Sequence, residues 1–81
     1  MYISYRKGYD MGFSYNKLWK LLIDKNMNKS DLQKAIELSP TTVAKLSKNK
    51  NVSMEVLGRI CEYFNCDVSE ILEYRLERED E

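Results

Sequence analysis

An all-α fold, a compact bundle of five short helices, is what this sequence predicts, and three observations predict it. Apolar residues recur at helical spacing in separate short segments. The stretch from Met27 to Asn51 reads as two short helices joined by a tight turn. Capping residues stand where each segment begins. Eighty-one residues suffice for a single domain, and 43% apolar with 32% charged residues is the composition of an ordinary globular one. No apolar run approaches the roughly 20 residues that span a bilayer. No apolar block follows Arg6 and Lys7, as a secretory signal would require. A cytoplasmic protein is expected.

The expected organisation is an N-terminal arm over residues 1–13, a helical domain over residues 14–76 and an acidic tail over residues 77–81. The arm is rich in tyrosine (Tyr2, Tyr5, Tyr9), carries Gly8 and Gly12, and sustains no helical period. It reads as a loose arm or as a short strand that pairs with something. Ser14 is placed to cap a first helix from Tyr15 to about Lys25. Tyr15, Leu18, Trp19 and Leu22 form its apolar stripe, with Leu21 and Ile23 flanking. Trp19 is read as a core residue, since no polar cluster accompanies it as a ligand-stacking role would need.

Asn28 then caps a second helix, with Asp31 at capping-box spacing, and Leu32, Ala35 and Ile36 mark its apolar face. Ser39 caps a third helix with Pro40 at the first helical position, where its missing N–H costs nothing. Val43 and Leu46 turn inward, leaving Thr41, Thr42, Lys45 and Lys48 on the other faces. Ser53 caps a fourth helix from about Met54 to Tyr63, with Met54, Leu57, Ile60, Cys61 and Phe64 inward, and Asn65 ends it. Asp67-Val68-Ser69-Glu70 repeats the capping-box spacing and opens a fifth helix through Ile71, Leu72 and Leu76.

The pattern Leu32, Leu38-Ser39, Val43, Leu46 resembles the helix-turn-helix of the Cro-type (XRE, lambda-repressor-like) family of repressors. Leu57, Ile60-Cys61, Phe64-Asn65-Cys66, Val68 and Ile71-Leu72 are similar to the last helices of a small single-domain branch of that family. The resemblance spans roughly Tyr15 to Tyr74. It implies a DNA-binding domain with the helix-turn-helix at helices 2 and 3. Two positions depart from the family pattern: Gln33, where a small residue is usual, and Glu37, at the turn, where a glycine is; the resemblance implies that Glu37 adopts a left-handed conformation, which a non-glycine residue enters at some cost.

Charge is compatible with that expectation. The formal net charge is zero, but it is split. Residues 1–60 hold eleven Lys/Arg against five Asp/Glu, and residues 61–81 hold two against eight. Between Ser39 and Asn51 there are three lysines and no acid. Local field rather than total charge attracts a phosphate backbone.

Other chemistries are disfavoured. No histidine is present, which removes the commonest general base and metal ligand. Ser and Cys residues therefore lack an ordinary activating partner, and no glycine-rich phosphate loop occurs. Cys61 and Cys66 alone do not make a four-coordinate metal site, and read as small hydrophobes. No enzyme activity, cofactor, metal, membrane segment or small-molecule ligand is expected.

By the resemblance, base edges of double-stranded DNA would be met by the start and outer face of the third helix: Pro40, Thr41, Thr42, Ala44 and Lys45. Lys45 can donate to guanine, and the threonines offer hydroxyls or methyls. Asn28, Lys29 and Ser30 at the start of the second helix suit phosphate, as do Lys48, Asn49 and Lys50 after the third. Readers of this kind usually dock as two-fold dimers, so a homodimer is expected, through the fifth helix with Tyr74 and Leu76 or through the arm. The expected function is a sequence-specific transcriptional regulator, by resemblance most often a repressor, acting at a promoter that can include its own. The rival is a protein-interaction module on the same fold, an antitoxin or accessory factor acting through another regulator, which Glu37 at the turn, the zero net charge and the acidic tail favour.

Overall fold

A computed structural model describes residues 12–76. The elements run β1 (Gly12–Ser14), α1 (Asn16–Asp24), α2 (Lys29–Ala35), α3 (Pro40–Ser47), α4 (Met54–Phe64), a single 3-10 turn (Val68–Glu70) and β2 (Glu73–Arg75). The described residues are mostly helical, with four α-helices and one small two-stranded sheet. None of these helices is long and apolar enough to cross a membrane.

The expected caps form. Asn28 accepts from the Asp31 N–H at 2.8 Å while the Asp31 carboxylate accepts from the Asn28 N–H at 2.9 Å, a complete capping box. Ser39 and Ser53 each accept from the amide three residues on, satisfying otherwise orphaned donors. Each helix also ends in the same way. A left-handed residue follows it (Asn26, Glu37, Asn49 and Asn65, with φ of 58°, 54°, 57° and 55°). The amide just beyond then donates back five residues: Met27 to Leu22, Leu38 to Gln33, Lys50 to Lys45 and Cys66 to Cys61, all at 2.8–3.0 Å. This closure satisfies carbonyls that the helix end leaves unpaired.

Tyr15, Leu18, Leu22, Leu32, Leu38, Leu46, Leu57, Ile60 and Ile71 form one buried core. Trp19, Ile36, Val43, Cys61, Phe64 and Cys66 are half-buried against it. Met54 departs from its expected inward position. As the first residue of α4 it lies beyond the core and is 82% exposed. Ile23 is exposed as well.

The fifth helix is replaced by the 3-10 turn and β2. Asp67 makes no side-chain cap on the backbone. Its carboxylate accepts the Ser69 hydroxyl at 2.8 Å instead, so the second capping box does not form. From Leu72 the sequence alternates strictly, with Leu72, Tyr74 and Leu76 apolar between Glu73 and Arg75. That period suits a strand rather than a helix. β2 pairs antiparallel with β1, matching Gly12 to Arg75, Phe13 to Tyr74 and Ser14 to Glu73. Phe13 and Tyr74 stack edge to face with centroids 4.9 Å apart. Ser14 thus belongs to β1. It is buried, and its hydroxyl still accepts the Asn16 amide at 3.2 Å beside the start of α1. The expected arm ends in this strand, and the rest of it, residues 1–11, lies outside the described residues, as do residues 77–81.

Candidate nucleic-acid interface

α3 is held by its buried side. Leu46 is fully buried and Val43 half-buried. The opposite face leaves Pro40, Thr41, Ala44, Lys45, Ser47 and Lys48 exposed. Thr41, Lys45 and Lys48 follow one another at i, i+4 and i+7, one stripe along the helix. The stripe carries one hydroxyl and two ammonium groups, with Ala44 beside it as a small apolar step. Its chemistry is that of base-edge and phosphate contact: donors, methyls and positive charge, with no acid among residues 39–51.

Thr42 is set apart from this stripe. It is half-buried, its amide donates to the Ser39 hydroxyl at 3.1 Å, and its own hydroxyl accepts from Ser39 at 3.0 Å. Its side chain is part of the cap that fixes the start of α3.

The start of α2 lies beside the end of α3. Lys29 Nζ donates to Ser47 Oγ at 3.1 Å and stands 4.3 Å from the centre of the Trp19 ring, a cation–π contact. One side chain therefore links α1, α2 and α3. The two groups of expected backbone contacts, Asn28 to Ser30 and Lys48 to Lys50, are brought to neighbouring positions. All six are exposed except Asn49. Asn49 is half-buried because its side-chain oxygen accepts the Tyr15 amide at 3.1 Å, and Asn28 is engaged in the capping box. The Tyr15 hydroxyl donates to the Lys50 carbonyl at 2.8 Å, so the loop after α3 is fastened to the start of α1 at two points. Burial raises the Tyr15 phenol above its ordinary pKa of 10.0, which keeps it a donor.

Sequence reasoning missed one supporting residue. Arg59 on α4 donates through Nη2 to the Ile36 carbonyl and, at 3.5 Å, to that of Glu37. These carbonyls sit in the turn between α2 and α3. In sequence Arg59 is a lone basic residue on the flank of an apolar stripe, and only the packing of α4 against the turn gives it a role.

The chain matches the Cro/C1-type helix-turn-helix DNA-binding domain over residues 17–77. It is similar to the crystal structure of the transcriptional regulator VanUg, with 51% identity, a TM-score of 0.79 and coverage of 91% of this chain and 100% of that one. Among curated proteins, none is significantly similar in sequence.

Proposed function

The chain belongs to the Cro/C1-type helix-turn-helix DNA-binding family, and on that premise we propose that it is a sequence-specific transcriptional regulator that reads the major groove of double-stranded DNA with α3. It acts as a repressor, occupying a promoter, its own included, and blocking polymerase there. The observation that carries this reading is the exposed stripe Thr41, Lys45 and Lys48 on a helix whose N-terminus, C-terminus and buried face are all fastened to the domain. A helix held that way presents fixed side chains to a groove of matching width.

Within the stripe, Lys45 donates to guanine O6 and N7, Thr41 contributes a hydroxyl or a methyl, and Pro40 and Ala44 supply apolar contact. Thr42 acts through the cap. Lys29, Ser30, Lys48 and Lys50 meet phosphate, with Asn28 and Asn49 shaping the backbone around them. Similarity to the regulator VanUg over nearly the whole chain supports the same assignment.

The test is a gel shift of the purified protein on the DNA upstream of its own gene, against unrelated DNA, at two salt concentrations. A discrete complex that resists competitor and is lost in Lys45→Ala and Thr41→Ala is expected. Weak binding that is equal on both DNAs, or none, would overturn the reading and direct attention to a protein partner.

A further inference from the structure

The chain's two cysteines meet at the closure that ends α4. Asn65 is left-handed, with φ of 55°. Behind it the chain turns back, so that the Cys66 amide donates to the Cys61 carbonyl at 3.0 Å and the Asn65 amide to the Glu62 carbonyl at 3.3 Å. In a closure of this kind the residue after the left-handed one packs against the residue five positions earlier, and the pair is commonly apolar. At the end of α1 the same two positions hold Leu22 and Met27. At the end of α4 both hold sulfur.

Backbone geometry brings this pair within bonding range. With the amide nitrogen 3.0 Å from the carbonyl oxygen, standard bond lengths leave the two Cα atoms at most roughly 7 Å apart along a straight path, and the real path is bent. Disulfides span Cα separations of about 4.4–6.8 Å. Both side chains are half-buried and pack against the core. Their approach is thus fixed from behind, while their outer sides stay open to a small reagent. Burial pushes the Cys66 thiol above its ordinary pKa of 9.0; the neighbouring Cys61 and Glu70, a hydrogen bond with Cys61, and Asp67 add to the rise. That hydrogen bond sets the two sulfurs side by side, and the retained proton keeps the thiol slow to react in the absence of an oxidant.

We propose that Cys61 and Cys66 are a redox pair, which a peroxide closes into an intramolecular disulfide that staples the end of α4. One thiol gives up its proton and its sulfur attacks hydrogen peroxide. The O–O bond breaks, one oxygen stays on the sulfur as a sulfenic acid and the other leaves as water. The second thiol then attacks that sulfur. The S–S bond forms, the S–O bond breaks, and the oxygen departs with the last proton as a second water. The pair is oxidised by two electrons and the peroxide reduced by two. Cys61 lies two residues beyond Arg59, whose guanidinium supports the turn before α3, so the staple fixes the helix end next to that support. The chemistry involves no DNA and does not rest on the reading above.

The experiment treats the full chain with hydrogen peroxide, traps remaining thiols with a maleimide and digests the product with trypsin for mass spectrometry. Cleavage after Arg59 and Arg75 delivers both cysteines on one peptide, residues 60–75, which contains no methionine to confuse the mass. That peptide should lose the mass of two hydrogens and take up no maleimide, and the protein should remain a single chain on a non-reducing gel. The melting midpoint by circular dichroism should rise by about 5–10 °C, as expected of a short closed loop that fits the native geometry. Dithiothreitol should restore both thiols and the original midpoint. Cys61→Ser and Cys66→Ser should show no rise under the same treatment, which also measures any effect of peroxide elsewhere. The peptide mass of the wild type reads the closure directly, so the proposal does not depend on either variant folding. A wild type that keeps both thiols, gains oxygen on this peptide without losing two hydrogens, or cross-links between chains would overturn the pair. A disulfide formed with an unchanged or lowered midpoint, relative to the serine variants, would overturn the staple.

Discussion

Arg59 reaches back 23 residues in sequence to donate its guanidinium to the main-chain carbonyl of Ile36, at the turn that sets α3 against α2. The last carbonyls of a helix have no intrahelical partner, and here a cation supplies one while also complementing the negative end of α2. Replacement by alanine leaves the Ile36 carbonyl unpaired in a half-buried place. Arg59→Ala should therefore cost about 1.5–3 kcal/mol, the range for hydrogen bonds to charged groups. Urea denaturation would measure it, and Arg59→Lys should recover part of the loss.

Glu37 makes the opposite case. It holds φ of 54° at the turn, where a β-carbon costs roughly 1–2 kcal/mol, and glycine would remove that cost while adding about 0.5–1 kcal/mol of chain entropy to be lost on folding. Glu37→Gly should raise stability by about 0.5–1 kcal/mol net. The same exchange at Asn65 should gain less, since asparagine tolerates the left-handed region better than glutamate. Thermal melts of the two variants side by side would decide this.

These two residues also mark how far the sequence could be read. The capping box of Asn28 and Asp31 and the Ser39-Pro40 start of α3 are local, and local patterns announce themselves; the left-handed turn at Glu37 was implied by the family resemblance. The end of the chain did not, because Asp67 and Glu70 imitate a helix start. The alternation of Leu72, Tyr74 and Leu76, which was visible in the sequence, only wins once β1 is present as a partner. Arg59 and the Tyr15–Asn49 bond join elements 22 to 34 residues apart, and no pattern along the chain encodes such meetings. Within the candidate interface the exposed positions Thr41, Lys45 and Lys48 were legible from periodicity, and Ala44 from the resemblance. The internal duties of Thr42 and Asn49 were not.

Tyr15 offers a test by pH. Its phenol donates to the Lys50 carbonyl at 2.8 Å, and burial holds its pKa above 10.0. The protonated form is favoured by folding, so this contribution is complete below pH 10.0 and is lost as pH rises through the raised value. Tyr15→Phe should lower stability by about 1 kcal/mol at neutral pH and should flatten the decline of stability above pH 10.0. Denaturation midpoints of wild type and variant from pH 8 to 11 would show the difference; parallel curves would refute it.

The proposed contacts divide into two groups that one set of variants separates. Lys45, Lys48 and Thr41 are exposed, and no hydrogen bond joins their side chains to another described residue. Changing them to alanine should leave the melting temperature nearly unmoved while weakening DNA binding. Each lysine that meets a phosphate releases counterions, so its loss should reduce the slope of log affinity against log salt by about 0.9. Lys48→Ala should show that change uniformly across DNA sequences, whereas Lys45→Ala should also relax the preference for guanine, a discrimination of about 1–3 kcal/mol for a good bidentate contact. Thr42 and Asn49 behave differently, because their side chains bond within the domain, to Ser39 and to the Tyr15 amide. Thr42→Ala and Asn49→Ala should lower stability by about 1 kcal/mol each, with affinity falling only as the recognition helix loosens and with the salt slope unchanged. Fluorescence anisotropy across a salt series, paired with melts of the same samples, would sort all five variants. A lysine variant that melts early at unchanged salt slope would remove that residue from the interface.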